Sequence, residues 1–360
     1  MATAEKKIRI AIIVPRLEAL GPVIVMQNLV NTLYDNEDFL IKVFYLDSKV
    51  DSNVKISVPV ERLNRKKFLF TDYDIIHTNG FRPDLFGYLN RKKIKYHIST
   101  IHNFVFEDLE FTYNKLISCL VGNIWLLLWK KADKLVCVSD TTKTYYLKWF
   151  SPSKLEVIYN GIAETDESIL PDKDVIQSID KFHSKGLKVL GCAGILTKRK
   201  GIGQVLHLIA AETGLAAVII GDGKELSDLK RLAVKLDVSD RCEFCGFRSN
   251  AVVYFRYFDF FIMPSSSEGF GLALIEAVQQ KVSVICSDID VFRELFTDDE
   301  VTFFRLEDMD SLSESVKTVF ESGCKKAETA YERFRKNYTA STMAFHYNIL
   351  YKSVSVFKVA

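Results

Sequence analysis

Residues 264–277 read PSSSEGFGLALIEA: a proline, three serines, a glutamate, a Gly-Phe-Gly turn, and a second glutamate eight positions after the first. The run before it, DFFIMP, is short, apolar and without polar alternation, so it reads as a strand buried on both faces. LALIEAVQQ, after it, has helical spacing and starts at about Gly271. A buried strand that passes through a small-residue loop straight into a helix is half of a parallel α/β unit, and ligands gather at the carboxyl ends of such strands. The helix start offers unpaired N–H groups and a positive dipole end, which suit a phosphate, and the glycines let backbone approach a ligand closely. Glu276 sits in an apolar stretch, where a carboxylate is costly unless hydrogen-bonded. Vicinal diols can supply those bonds, and a nucleotide sugar carries two, one on the ribose and one on the hexose. On these residues alone, a helix-capping Glu268 and a solvent-reaching Glu276 remain an open alternative.

The same pattern repeats outward. IRIAIIVP, LIKVFYLD, YDIIHTNG, YHISTIHN, KLVCVSD and KLEVIYNGI occupy the first half; KVLGCAGI, AAVIIGDG, CEFCGF, DFFIMPSS, VSVICSD and VTFFRL the second, all separated by stretches of helical length. The reading is α/β twice over: an N-terminal Rossmann-like domain over 1–163, a linker with an entry helix over 164–186, and a C-terminal Rossmann-like domain over 187–340. The tail, about 341–360, reads as an amphipathic helix with Phe345, Ile349 and Leu350 on its packing face.

At 360 residues with 48% hydrophobic content, two cored domains are expected. The net charge of +2 is split unevenly: residues 1–165 hold 23 Lys and Arg against 18 Asp and Glu, an excess of five, leaving the remainder at −3. That points to an anionic surface facing the first half. Seven cysteines without framework spacing suit a reducing compartment, and Cys242-Glu-Phe-Cys245 lacks the second pair a zinc site needs, so no metal is expected. The opening MATAEKKIRIAIIVP is too short in its apolar run for a signal peptide, and no nucleic-acid signature occurs. LISCLVGNIWLLLW, bracketed by Lys115 and Lys130-Lys131, is too short to span a bilayer. It reads either as a buried core helix or as an interfacial helix presenting Trp125 and Trp129, with Arg65-Lys66-Lys67 and Arg91-Lys92-Lys93-Ile94-Lys95 available to anionic lipid.

SSSEGFGLALIEAVQQKVSVICSDI resembles the glutamate, seven-residue, glutamate signature of retaining glycosyltransferase family 4. The other runs follow in that family's order, with GILTKRKGI and VIIGDGKELSDLKRLA between them. The resemblance implies the GT-B fold: two Rossmann-like domains facing each other across a cleft, the last helix crossing back to the first. It implies a hexosyltransferase that uses a UDP- or GDP-linked sugar and a glycan or lipid-linked acceptor, in synthesis of lipopolysaccharide, O-antigen or capsule. The enzyme would be cytoplasmic, peripheral on the inner membrane face, and free of metal and other cofactors. Carried over residue by residue, Glu276 would bind the ribose diol and Glu268 the hydroxyls of the transferred sugar. The backbone of Gly269, Phe270, Gly271 and Leu272 would hold sugar and diphosphate, Lys200 and Arg199 would neutralise the leaving diphosphate, and His102 would lie near the reacting sugar. Gly21, Gly194 and Gly221 would line the donor pocket. Two positions depart from the family: Ile195 stands where an arginine is common, and Pro22 replaces a second glycine, removing an N–H.

Competing readings fare worse. A dinucleotide-dependent oxidoreductase needs G-x-G-x-x-G after a strand, and neither Gly201-Ile-Gly203 nor Gly221-Asp-Gly223 has the third glycine in register. An epimerase of the same fold would lack the Glu-pair loop. A non-catalytic relative that binds membrane or partner proteins rests only on Ile195 and Pro22.

Overall fold

The structure, a computed structural model, describes residues 7–111 and 113–356. Along the chain the first elements are β1 (Ile8–Val14), α1 (Gly21–Thr32), β2 (Phe39–Tyr45), β3 (Val60–Arg62), β4 (Ile75–Asn79), α2 (Phe81–Leu89), β5 (His97–Ile101), α3 (Val105–Glu110), α4 (Lys115–Lys130), β6 (Lys134–Cys137), α5 (Asp140–Tyr146) and β7 (Leu155–Val157). Then come α6 (Lys173–Ser184), β8 (Lys188–Ala193), α7 (Ile202–Ala211), β9 (Leu215–Ile220), α8 (Leu226–Lys235), β10 (Cys242–Gly246), α9 (Val252–Phe255), β11 (Phe260–Met263), α10 (Leu272–Gln279), β12 (Val284–Ser287), α11 (Asp290–Leu295), β13 (Thr302–Phe304), α12 (Met309–Asn337) and α13 (Ala340–Val356). The chain divides into two units, Met1–Ala163 with Asn337–Ala360, and Glu164–Lys336.

The first unit is built on a seven-stranded sheet in the order β3-β2-β1-β4-β5-β6-β7. Every pair in it is parallel. The second has six strands, β10-β9-β8-β11-β12-β13, again all parallel. Both are Rossmann-like, and each reverses its winding once, between β1 and β4 and between β8 and β11. Those reversals open a crevice at the strand carboxyl ends, the place where such sheets bind ligands. All twelve apolar runs of the sequence are strands. The thirteenth, β3, is three exposed residues at the edge of the first sheet, held to β2 by backbone bonds, and so leaves no apolar pattern to read.

The entry helix expected within residues 164–186 is α6. Val175, Ile179 and Phe182 of α6 are buried, and the stretch belongs to the second unit from Glu164 onward. The tail differs in face: Leu350 is buried, but Phe345 and Ile349 are exposed. The packing face of α13 is Met343, Ala344, Tyr347, Leu350, Tyr351 and Val354, against α1 and β1. Polar anchors decide this rotation. The Tyr351 hydroxyl meets His77 Nδ1 at 2.8 Å, His77 Nε2 meets Thr100 Oγ1 at 2.7 Å, and Thr100 meets the Tyr347 hydroxyl at 3.0 Å.

The two tryptophans of α4 turn inward, not toward an interface. Both indole N–H groups donate to Asp84 Oδ2 at 2.8 Å, while Thr78 and Ser99 donate to Oδ1 at 2.5 and 2.7 Å. A buried indole N–H needs an acceptor, and Asp84 supplies one for both rings. Burial pushes the Asp84 carboxyl up to about 6 despite these four donors. Asp84→Asn is expected to destabilise the first unit by roughly 1–3 kcal/mol, because with the amide oxygen kept on the two indoles its N–H₂ group meets the Thr78 and Ser99 hydroxyls that now donate to Oδ1. Urea unfolding followed by tryptophan fluorescence reads this unit alone, since all three tryptophans, 125, 129 and 149, lie in it.

Candidate active site

Two loops flank the reversal in the second sheet, one after β8 and one after β11. Gly201 lies between them with φ of 66°, and a Cβ there would collide with the Pro264 carbonyl, so only glycine lets the loops touch. The contact is fixed by one backbone and one side-chain bond: Ser266 N donates to the Arg199 carbonyl at 2.8 Å, and Arg199 Nη1 donates to the Ser267 carbonyl at 2.6 Å.

This clamp brings three charged side chains together. Lys200 Nζ lies 2.7 Å from Glu268 Oε1, and Arg199 Nη1 lies 2.9 Å from Oε2. Glu268 is 7% exposed. Burial by itself would push its carboxyl up, but the two cations outweigh that and hold it below the usual range. Glu268 is therefore an anion at neutral pH, with both oxygens engaged and one net positive charge left on the cluster.

Gly271 caps α10 in the left-handed region, φ 92°, with the Phe292 ring where a Cβ would stand. The N–H groups of Leu272 and Ala273, in the first turn of α10, have no acceptor within the helix. Glu276 follows on the same helix, half-buried, with no side-chain hydrogen bond or ion pair among the described residues. Burial pushes its carboxyl up to about 7, and the charge of Lys200 pulls weakly the other way. An unpartnered carboxylate in such a place is a cost to the fold that a ligand with adjacent hydroxyls would relieve. Gly194 and Gly221 end β8 and β9 side by side, Gly194 N donating to the Ile220 carbonyl at 3.0 Å. Ile195 is exposed and shares a small pocket with Gly194, Leu196 and Lys200.

In the first unit Gly21 is the first residue of α1, and Pro22 sits beside it in the first turn, where a missing N–H breaks no helical bond. His102 follows β5 and is the residue Asn79, at the end of β4, orients: His102 Nε2 lies 3.0 Å from Asn79 Oδ1. Burial alone lowers the imidazole to about 4, so it is neutral at pH 7. Asn79 was not singled out in the sequence, although a polar HTN ending a buried strand is a visible signal. Its Nδ2 is buried without a partner, in a pocket that also contains His77, Thr100, His102 and Tyr347. The second unit thus gathers Gly194, Arg199, Lys200, Gly221, Glu268, Gly269, Phe270, Gly271, Leu272 and Glu276, while Gly21 and His102 belong to the first. Among the described residues no three His, Cys, Asp or Glu side chains converge on a metal position.

Residues 176–338 match the profile of the glycosyl transferases group 1, and residues 30–165 that of glycosyltransferase family 4. A curated relative, the O-antigen biosynthesis glycosyltransferase WclY of Escherichia coli, is 32% identical over 356 residues, covering 96% of this chain and 98% of that one. The chain is a family 4 glycosyltransferase. Over a shorter span it is similar to the UDP-Gal:alpha-D-GlcNAc-diphosphoundecaprenol alpha-1,3-galactosyltransferase of E. coli, at 25% identity across 61% of this chain and 58% of the relative. Its fold is that of Anabaena Alr3699/HepE, solved with UDP-glucose, at TM-score 0.80 and 16% identity, covering 96% of this glycosyltransferase and 99% of that chain. The lipopolysaccharide outer core galactosyltransferase WaaB superposes at TM-score 0.68 with the same identity, over 96% of this chain and 100% of that one. The GT-B architecture expected from the Glu-pair loop therefore holds for this glycosyltransferase.

Proposed function

We propose that this glycosyltransferase transfers a hexose from a nucleoside diphosphate sugar, with retention of anomeric configuration, to a lipid-linked glycan during O-antigen or lipopolysaccharide synthesis. The observation that carries the donor half is Glu276: a raised carboxyl with no hydrogen-bonded protein partner, about one turn along a helix whose open N–H groups suit a diphosphate. In this reading Glu276 takes the ribose diol, and Leu272 with its neighbours takes the phosphates. Arg199 and Lys200 supply the positive charge that the departing diphosphate needs, without a metal ion. Glu268, held between them, accepts from hydroxyls of the transferred sugar. His102, neutral and oriented by Asn79, is assigned a hydrogen-bonding role toward the carbohydrate.

The chemistry is a front-face substitution. The bond from the anomeric carbon to the phosphate oxygen breaks as the acceptor oxygen attacks on the same face, through an oxocarbenium-like transition state. The acceptor proton passes to the departing phosphate oxygen, so the protein needs no nucleophile. For the acceptor half, support comes from WclY and from the diphosphoundecaprenol-dependent relative, together with the basic excess of residues 1–165.

The test is a thermal-shift panel with UDP, GDP, ADP and their hexose conjugates, followed by anomeric analysis of the product. One nucleotide series is expected to raise Tm, because a ligand bound only by the native state stabilises it as the logarithm of saturation. A product with inverted configuration would overturn the mechanism, and no shift with any nucleotide would leave a non-catalytic relative as the better reading.

A further inference from the structure

Seven of the 22 large hydrophobic side chains exposed among the described residues lie between Phe111 and Leu127. On α4 the exposed ones are Leu116, Ile117, Leu120, Ile124 and Leu127. At about 100° per residue these five fall within a sector of about 100°. Leu116 is 83% exposed and Leu120 63%. The opposite face is satisfied: Trp125 and Trp129 are bonded to Asp84, and Gly122 lets the Phe106 ring of α3 lie against the helix. The stripe is therefore not a poorly packed core face. A contiguous apolar strip of this kind marks an interaction surface.

Its surroundings say which. At the carboxyl end of the helix Arg91 Nε donates to the Lys131 carbonyl at 2.8 Å, and Lys154 Nζ donates to the Lys130 carbonyl at 2.8 Å. The basic turn Arg91–Lys93 is thereby tied to the end of α4. Lys130 and Lys131, in the last turn and at the C-cap of α4, make no ion pair among the described residues, so two uncompensated cations close the carboxyl end of the apolar strip. A second protein copy would have to present acid against them, whereas an anionic lipid surface meets both features at once. No helix among the described residues is long and apolar enough to cross a membrane, which leaves a helix lying in the interface.

We propose that α4 is a membrane-docking helix, its Leu116, Leu120, Ile124 and Leu127 face inserted among acyl chains of an anionic bilayer and its Lys130–Lys131 end at the headgroups. The proposal builds on the lipid-linked acceptor reading, and it gives that reading a geometry within the first unit. Only Asn103 and Phe104 separate His102 from α3, which packs on α4, so docking would bring a membrane-held acceptor toward the His102 end of the sheet.

The full chain is mixed with phosphatidylcholine vesicles containing or lacking 30% phosphatidylglycerol, free of any glycan acceptor, and pelleted. Binding to the anionic vesicles is expected to weaken roughly ten-fold or more in Leu120→Ser with Leu127→Ser. It should weaken about five-fold per charge in Lys130→Gln with Lys131→Gln. Both side-chain sets are exposed, so the Tm should not move, and donor turnover with a water-soluble acceptor should be unchanged while turnover with vesicle-embedded acceptor falls. Wild-type binding that is absent, or equal in the leucine variant, overturns the proposal. So does a dimer in light scattering that the leucine variant breaks. Docking without transfer to any lipid-linked acceptor would sink the acceptor reading and leave the docking helix standing.

Discussion

Glu268→Gln is expected to lower turnover by about two to three orders of magnitude, with a much smaller change in the KM for donor. Glu268 is the hub of the cluster after β8 and β11: Lys200 holds one oxygen and Arg199 the other. Glutamine keeps the shape and removes the charge that both cations were placed around. The amide also turns one N–H₂ group toward a cation, which costs geometry at the point where the proposed mechanism develops charge on a leaving diphosphate. Lys200→Ala should give a similar fall in turnover for the complementary reason, and Lys200→Arg should not restore it, since the planar fork cannot occupy the place of a compact ammonium. Single-turnover kinetics with saturating donor separate the two quantities. A Glu268→Gln enzyme that loses affinity and turnover equally would contradict its assignment to the transferred sugar.

Glu276→Gln should do the reverse, weakening nucleotide binding roughly 10- to 100-fold while stabilising the empty protein. The carboxyl is raised from 4.5 to about 7 by burial, which the charge of Lys200 offsets only in part. The sign follows from linkage. Below about pH 4 the group is protonated in both states and contributes nothing. As pH rises from the unfolded value toward 7 the unfolded chain ionises first, and the native state loses stability until the loss is complete above 7. Glutamine removes that loss, so the variant should melt about 3–6 °C higher than wild type at pH 8 and at the same temperature at pH 4. Nucleotide affinity of the wild type should fall as pH drops through 7, where the carboxylate is protonated, and the variant should show no such dependence. Differential scanning fluorimetry and calorimetric titration over pH 4–8 check both halves. A variant less stable than wild type at pH 8 would mean that Glu276 has a structural partner.

Much of this was legible in the chain itself. Parallel strands in covered sheets are apolar with little alternation, so twelve of thirteen strands announce themselves, even the edge strand β7 around its exposed Glu156, and β3 does not because its residues face water and only its backbone is engaged. The Glu-pair loop is legible because its chemistry sits on consecutive residues, and the family follows from it. What sequence could not decide was rotation and partnership. Whether Trp125 and Trp129 face lipid or core depends on Asp84, forty-one and forty-five residues away in sequence, whose carboxylate draws both indoles inward and thereby turns the leucines out. The face on which α13 packs is likewise set by His77 and Thr100, from strands far earlier in the chain. Lys200 and Arg199 could be read as phosphate ligands from their loop, but their joint grip on Glu268, 68 and 69 residues further on, exists only once Gly201 lets two loops meet. Periodicity and local motif are properties of neighbouring residues and survive in one dimension. Which side of a helix is satisfied, and which carboxylate is left without a partner, is fixed by groups that only folding brings within hydrogen-bond reach.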